Sequence, residues 1–383
     1  MAGLADRIAK LSPEKQAELA QRLAQARSGG GTQAAPSAPA RDPLSGDQPF
    51  CAVLGKPGHF EGIGFRRFEP EPPGPGQVQI RSRAVGLNFR DLMIAMGLYP
   101  PTPGVPSVMG SDYAGEVLAC GAGVSGFAPG DAVLALSAGH FSPDGQIVDG
   151  SHIPSTLNVR EQQVVRKPRE LGFEDAAGVP TTFLTCYYAL HDVARIQPGE
   201  RVLIHSATGG VGLAAIEIAR WRGAEIFATA GSDAKREFLR SIGIRSPMDS
   251  RSTDFADQVM ELTGGEGVDV VLNTLSGEQA ARGLEILRPF GRFLQIDKQD
   301  IFGGASVSLA PFKLALSYTA IDLSLFLLQA ERLQRLFTEV VEGIDRGDFG
   351  PVRTTVFQMR QLPEALKLLS RYQHIGKLVL SYG

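Results

Sequence analysis

Residues 207 to 212, Ala-Thr-Gly-Gly-Val-Gly, have the types and spacing to hold a pyrophosphate. Glycine removes the side chain that keeps backbone away from a phosphate, and the N–H groups and dipole of a helix start meet the charge. Such a turn needs a strand before it and a helix after it. The apolar run Val202, Leu203, Ile204 precedes it, and a helix-forming segment with Leu213, Ile216, Ile218 and Ala219 comes after it. Residues 201 to 221 (RVLIHSATGGVGLAAIEIARW) therefore read as the strand, turn and helix of a dinucleotide site, with Thr208, Gly209, Gly210, Val211 and Gly212 as its contacts. His205, just before the turn, reads as a packed core histidine.

The surrounding rhythm places this turn in a sheet. From residue 171, RVLIHSA, AEIFATA, VDVVLNT, GRFLQID and LSYTAID read as successive strands, with helices near 210 to 222, 233 to 242, 253 to 263 and 277 to 288. The fold class is α/β: a doubly wound parallel Rossmann sheet over residues 171 to 322. Residues 48 to 170 carry shorter β-type runs, CAVLG, QVQIRSRAVGLN and SDYAGEVLACG, broken by Gly and Pro clusters, and read as a strand-rich domain with long loops. From 323 a long helix (LSLFLLQAERLQRLFTEVVEGIDRG) and two strand-like runs, TTVFQM and GKLVLSY, are expected to return to that first domain. Residues 48 to 170 and 323 to 383 then form one unit, and the cofactor lies in the cleft between the two.

The front of the chain differs. Residues 1 to 27 space Leu4, Ile8, Leu11, Leu19 and Leu23 among charges, with Ser12-Pro13 as a helix start, so short amphipathic helices are expected there as a docking-like segment. Residues 28 to 47 are rich in Gly, Ala, Pro and Ser and read as a flexible linker.

Composition narrows the function class. A formal charge of -3 over 383 residues gives no pull toward nucleic acid or an anionic membrane surface. Cys51, Cys120 and Cys186 show neither disulfide nor metal spacing, which fits a reduced setting. With no membrane-length apolar run and no signal-peptide core, a cytoplasmic location is expected.

Six ordered motifs over residues 50 to 383 resemble the medium-chain dehydrogenase/reductase superfamily, and within it the enoyl reductase domains of modular polyketide synthases and fatty acid synthases. They are GLNFRDLMIAMGLYP (86 to 100), GSDYAGEV (110 to 117), VPTTFLTCYYAL (179 to 190), HSATGGVG (205 to 212), VDVVLNTLSGE (268 to 278) and HIGKLVL (374 to 380). The resemblance implies a strand-rich GroES-like catalytic domain beside the Rossmann domain. Zinc alcohol dehydrogenases share that fold but carry Cys-His where this chain has Asn88-Phe89-Arg90-Asp91, and Gly-His-Glu where it has Gly110-Ser111-Asp112. Zinc needs three protein ligands dominated by Cys and His, so a metal-free reductase is expected.

An NAD site usually ends its second strand with a carboxylate that repels a 2′-phosphate. Here AEIFATA is followed by Gly231-Ser232-Asp233-Ala234-Lys235. Ser232, Lys235 and Arg251 match the family's 2′-phosphate contacts, and a hydroxyl with two cations suits a phosphate, so NADPH is the expected cofactor. Asp233 reads as a helix cap. Asn88 and Thr185 match family positions near the nicotinamide and its ribose, and Asn273 closes a strand lining the same cleft.

The resemblance also implies the chemistry: reduction of a trans-2-enoyl thioester on an acyl carrier protein, in a polyketide or polyketide/peptide hybrid assembly line. Hydride goes to the β-carbon and a proton to the α-carbon. Tyr99 matches a tyrosine placed near the α-carbon, Lys298 a lysine after the fifth Rossmann strand, and Asp322 the aspartate that pairs with it. One departure stands out, because the family usually reads Gly-Lys where this chain has Asp297-Lys298, bringing a second carboxylate near the proposed acid. Three alternatives stand beside this reading: a zeta-crystallin-type NADPH quinone oxidoreductase, a variant that diverts the enolate, and a cofactor-binding scaffold without activity.

Overall fold

The structure, a computed structural model, describes residues 44, 48–99, 108–137 and 152–383. The helices expected over 1 to 27 and nearly all of the 28 to 47 linker lie outside the described residues.

The first lobe is built on a long central strand. Strands β1 (Phe50–Val53) and β2 (Gly64–Arg67) lie ahead of β3 (Gln77–Leu87), helix α1 (Phe89–Ala95), β4 (Asp112–Cys120) and β5 (Ala132–Leu136). After them come β6 (His152–Pro154), β7 (Thr156–Arg160) and β8 (Val164–Arg166). Alternation along β3 sends Val78 and Ile80 into the core and Arg81 to solvent, the pattern of a strand with one buried face. Strand β3 pairs antiparallel with both β4 and β7, and β1 sits in a separate small sheet between β2 and β6. Helix α1 lies within the 86 to 100 motif of a region read only as strands and loops. Its start is set by Asp91, whose Oδ2 accepts the Asn88 N–H at 2.7 Å.

Helices α2 (Phe173–Ala176) and α3 (Pro180–Cys186) lead out of this lobe, and α3 widens into a π-helical stretch over Tyr187–Val193. The second sheet has β9 (Arg201–Ile204), β10 (Glu225–Ala230), β11 (Met248–Asp249), β12 (Val268–Asn273), β13 (Leu287–Gln295) and β14 (Ser317–Ala320). Their order is β11-β10-β9-β12-β13-β14, all parallel, which is the Rossmann order with its reversal between β9 and β12. Helices α4 (Gly210–Trp221), α5 (Asp233–Ser241), α6 (Phe255–Leu262), α7 (Glu278–Glu285) and α8 (Gln299–Phe302) connect them. One boundary differs from expectation: the helix foreseen to 288 ends at Glu285, because Ile286 already gives its carbonyl to Val268 N–H and Pro289 cannot continue a helix.

The long helix expected from 323 is two pieces. A 3₁₀ turn spans Leu323–Leu328, Gln329 breaks the geometry (φ −128°, ψ 64°), and α9 runs Ala330–Arg346. Strands β15 (Thr354–Gln358) and β16 (Lys377–Ser381), with α10 (Leu362–Ser370) between them, join the first lobe's sheet, β16 pairing antiparallel with β3. The α/β class with Rossmann and GroES-like parts is therefore what the structure has. Among the described residues no helix is long and apolar enough to cross a membrane.

Candidate active site

The glycine turn follows β9 at the strand-order reversal. Gly209 caps α4 in an extended conformation, and an added Cβ there would meet nothing closer than Ser206 O at 3.7 Å. At Gly212 an added Cβ would lie 2.5 Å from Ala207 Cα, so the helix rests directly on the turn. At Gly210 it would meet Thr182 Cγ2 at 2.9 Å and Lys377 Cδ at 3.3 Å. The other lobe reaches the turn here: Gly376 N–H donates to the buried Thr208's carbonyl at 2.8 Å. Val211 lies in the first turn of α4, its carbonyl facing Cys186 Sγ at 3.0 Å. Looser surroundings at Gly209 beside close packing at 210 and 212 fit a dinucleotide pyrophosphate.

Past β10, Ser232, Lys235 and Arg251 come together. An added Cβ on Gly231 would lie 3.2 Å from Arg251 Nε. Burial and then the charge of Arg251 hold the Lys235 ammonium below the usual lysine range, and its Nζ donates to the Tyr372 carbonyl at 2.7 Å. The cap of α5 is Ser232, whose Oγ accepts the Lys235 N–H at 3.4 Å. Asp233 does not cap as expected; as the first helical residue its carboxylate is already outside the N-cap geometry and pairs with Arg236 at 2.5 Å. His374 joins from the other lobe, pushed down to about 4 by burial and by Lys235 and Lys377.

A polar knot holds the lobes together beside the turn. The β3 register sets Leu87 opposite Leu378 and Gly86 opposite Asp112, which brings Asn88, Lys377 and Asp112 to one point. Lys377 Nζ donates to Asp112 Oδ2 at 2.8 Å and Asn88 Oδ1 at 2.5 Å, and Asn88 Nδ2 donates to Asp112 Oδ2 at 3.0 Å and Ser111 Oγ at 3.2 Å. The Thr181 hydroxyl donates to Asp112 Oδ1. Asn88 thus has its side chain engaged in this knot. Thr185 is buried on α3. Asn273 is buried and occupied: its Nδ2 donates to Leu275 O at 2.7 Å and Gln295 Oε1 at 2.6 Å, and its Oδ1 accepts the Leu275 N–H. Its side chain shapes the turn rather than opening onto the cleft.

Tyr99, Lys298 and Asp322 converge from three elements. Lys298 comes three residues after β13 and Asp322 two residues after β14, so adjacent parallel strands deliver both to the carboxyl edge that holds the glycine turn. Lys298 Nζ lies 2.7 Å from Asp322 Oδ1 and 3.3 Å from Tyr99 OH. Arg90 Cζ lies 5.1 Å from the Tyr99 ring centroid and Lys298 Nζ 5.7 Å. Burial raises the Asp322 carboxyl's pKa, but the bonds from Lys298 and Ser324 outweigh it and leave the group below the usual range. Asp297 turns back on its own chain, Oδ2 accepting the Gln299 N–H at 3.2 Å, and Asp300 accepts the Gly277 N–H at 2.8 Å.

Sequence reasoning passed over Lys377, Asp112, Ser111, Thr181 and Ser324. A lysine opening a strand inside HIGKLVL, and an Asp-x-Ser after a strand, were the available signals.

The alcohol dehydrogenase GroES-like domain family matches residues 74–149, and the zinc-binding dehydrogenase family residues 210–340. The chain is 40% identical over 329 residues to a phenolphthiocerol/phthiocerol polyketide synthase polypeptide of Mycobacterium tuberculosis, covering 86% of this chain and 14% of that protein. It thus spans about one-seventh of that relative's length. The solved CurK enoyl reductase is 36% identical with a TM-score of 0.77, covering 88% of this chain and 99% of that one. The CurF ER cyclopropanase of the curacin A pathway is 30% identical with a TM-score of 0.78 and the same coverage. Zinc does not fit where zinc alcohol dehydrogenases carry their Cys and His, because Asn88 and Asp112 accept from Lys377 there, Ser111 accepts from Asn88, and none of the three is Cys or His. Nearly full coverage of an enoyl reductase at this identity, on a Rossmann sheet built for a nicotinamide dinucleotide, places the chain in the medium-chain dehydrogenase/reductase superfamily, among its enoyl reductases.

Proposed function

We propose that this chain reduces a trans-2-enoyl thioester, presented on an acyl carrier protein in polyketide or polyketide/peptide hybrid assembly, with NADPH as reductant. The observation that carries the reading is the meeting of Tyr99, Lys298 and Asp322 at the carboxyl edge of the Rossmann sheet. Thr208 to Gly212 would cradle the pyrophosphate, and Ser232, Lys235 and Arg251 would grip the 2′-phosphate. Bound there, NADPH supplies a hydride to the β-carbon of the olefin.

The chain's own residues manage the charge and the proton. As the double bond accepts hydride, charge builds on the thioester oxygen and the α-carbon becomes basic. Lys298, paired with Asp322, donates to Tyr99 OH, so a proton reaches the α-carbon from Tyr99 with Lys298 replacing it, or from Lys298 directly. Asp322 is the partner that orients Lys298, and Asp297 accepts the Gln299 N–H.

The test is NADPH oxidation with an enoyl-pantetheine and an enoyl carrier-protein substrate, quinone and buffer serving as the other arms. Saturated thioester from both substrates supports the reading. Turnover of quinone alone overturns it in favour of a quinone oxidoreductase, a ring-closed product in favour of a diverted enolate, and cofactor binding with no turnover in favour of a scaffold.

A further inference from the structure

Asp322 Oδ1 takes three donors: Lys298 Nζ at 2.7 Å, Ser324 N–H at 2.9 Å and Ser324 Oγ–H at 2.6 Å. Two of the three come from one residue that touches neither Lys298 nor Tyr99 among the described bonds. We propose that Ser324 is a positioning residue for proton delivery, its hydroxyl holding the Asp322 carboxylate in the rotamer that presents Lys298 to Tyr99. This rests on the reading of Tyr99, Lys298 and Asp322 given above.

The local structure shows why the aspartate needs that hold. Asp322 leaves β14 immediately after Ile321, which is buried and donates its N–H to Gln295 O at 2.8 Å, so the backbone of Asp322 is anchored to β13. Its side chain is not anchored by the sheet. It caps the 3₁₀ turn Leu323–Leu328, in which Phe326 is buried and packs edge-on to Tyr188 with centroids 4.7 Å apart. A capped turn pinned by Phe326 fixes where Ser324 stands, and Ser324 in turn fixes the carboxylate.

The two bonds from Ser324 have different jobs. The backbone N–H at 2.9 Å makes the cap and survives any side-chain change, whereas the hydroxyl at 2.6 Å is a second, charge-assisted bond to the same oxygen. With the hydroxyl gone, only Lys298 and the backbone N–H of residue 324 hold the side chain. The carboxylate is then freer to swing about Cα–Cβ, which carries Lys298 away from Tyr99 without unfolding the turn.

The experiment is a double-mutant cycle in the full chain. Ser324→Ala is expected to lower kcat about tenfold while the NADPH dissociation constant stays within about twofold, Ser324→Thr to recover most of the rate, and Ser324→Ala on top of Asp322→Asn to cost less than about twofold more. A second readout on the same proteins is the rate at which an amine-reactive reagent labels Lys298, followed by peptide mass spectrometry. Labelling is expected to be slow in the wild type and Ser324→Thr, and several-fold faster in Ser324→Ala and Asp322→Asn. A full, additive loss in the double mutant, an Ala variant with wild-type kcat, or labelling of Lys298 indifferent to residue 324 overturns the proposal. Labelling needs no turnover, so a wild type inert toward enoyl thioesters refutes the proposed function while labelling still decides the role of Ser324.

Discussion

Lys377 and Asp112 form an ion pair at 2.8 Å with side chains 4% and 0% exposed, at the seam where the last strand crosses the glycine turn. Removing one partner of such a pair strands a charge in low dielectric, whereas removing both does not. Lys377→Met is expected to destabilise the chain by about 3–5 kcal/mol, and adding Asp112→Asn to recover part of that loss. Urea unfolding of the two variants measures it.

On the proposed function, Lys298 and Asp322 are expected to act in turnover and not in binding of the dinucleotide. Lys298→Ala and Asp322→Asn are each expected to lower kcat about a hundredfold or more, the usual scale of a lost general acid, with NADPH affinity nearly unchanged. Steady-state kinetics beside cofactor titration separates the two. Variants with wild-type kcat remove the pair from the mechanism.

Tyr99 lies 3.3 Å from Lys298 Nζ and between it and Arg90, a place suited to choosing the face that is protonated. Tyr99→Phe on an α-branched enoyl thioester is expected to change the configuration at the α-carbon more than the rate. Chiral chromatography of the product checks this.

On the proposed function, Lys235 and Arg251 are expected to set cofactor choice and its pH dependence. Losing either cation is expected to cut the preference for NADPH over NADH about tenfold to a hundredfold. Burial and Arg251 lower the Lys235 pKa, so its charge is present at low pH and is lost at lower pH than in an exposed lysine. NADPH affinity should therefore weaken on the alkaline side, and Arg251→Ala, by removing repulsion, should move that weakening to higher pH. Dissociation constants across pH for both proteins show the direction.

Gly212→Ala puts a Cβ 2.5 Å from Ala207 Cα, where backbone must move to accept it. A loss of about 1–3 kcal/mol in stability, with weaker dinucleotide binding, is expected. At Gly210 the first obstacles are the side chains of Thr182 and Lys377, so alanine there should cost less. Thermal melts with and without NADPH compare them.

Local pattern was enough for the strand, glycine turn and helix of 201 to 221, since period, propensity and glycine chemistry act within about twenty residues of chain. The same holds for the run of parallel strands after it, and the ordered motifs carried the family. Local pattern missed where α7 stops, that Ser232 and not Asp233 caps α5, and that Gln329 splits the long helix. Each turned on a backbone bond or a dihedral set by packing. The deeper limit lies in pairs distant along the chain. Lys377 meets Asn88 and Asp112 because β16, β3 and β4 share one register, and Lys298 meets the Asp322 oxygen that Ser324 bonds because β13 and β14 end side by side. Residue types and short spacings are written along the chain, but a carboxylate's partner is chosen by sheet order and register, which exist only once strands far apart in sequence have paired.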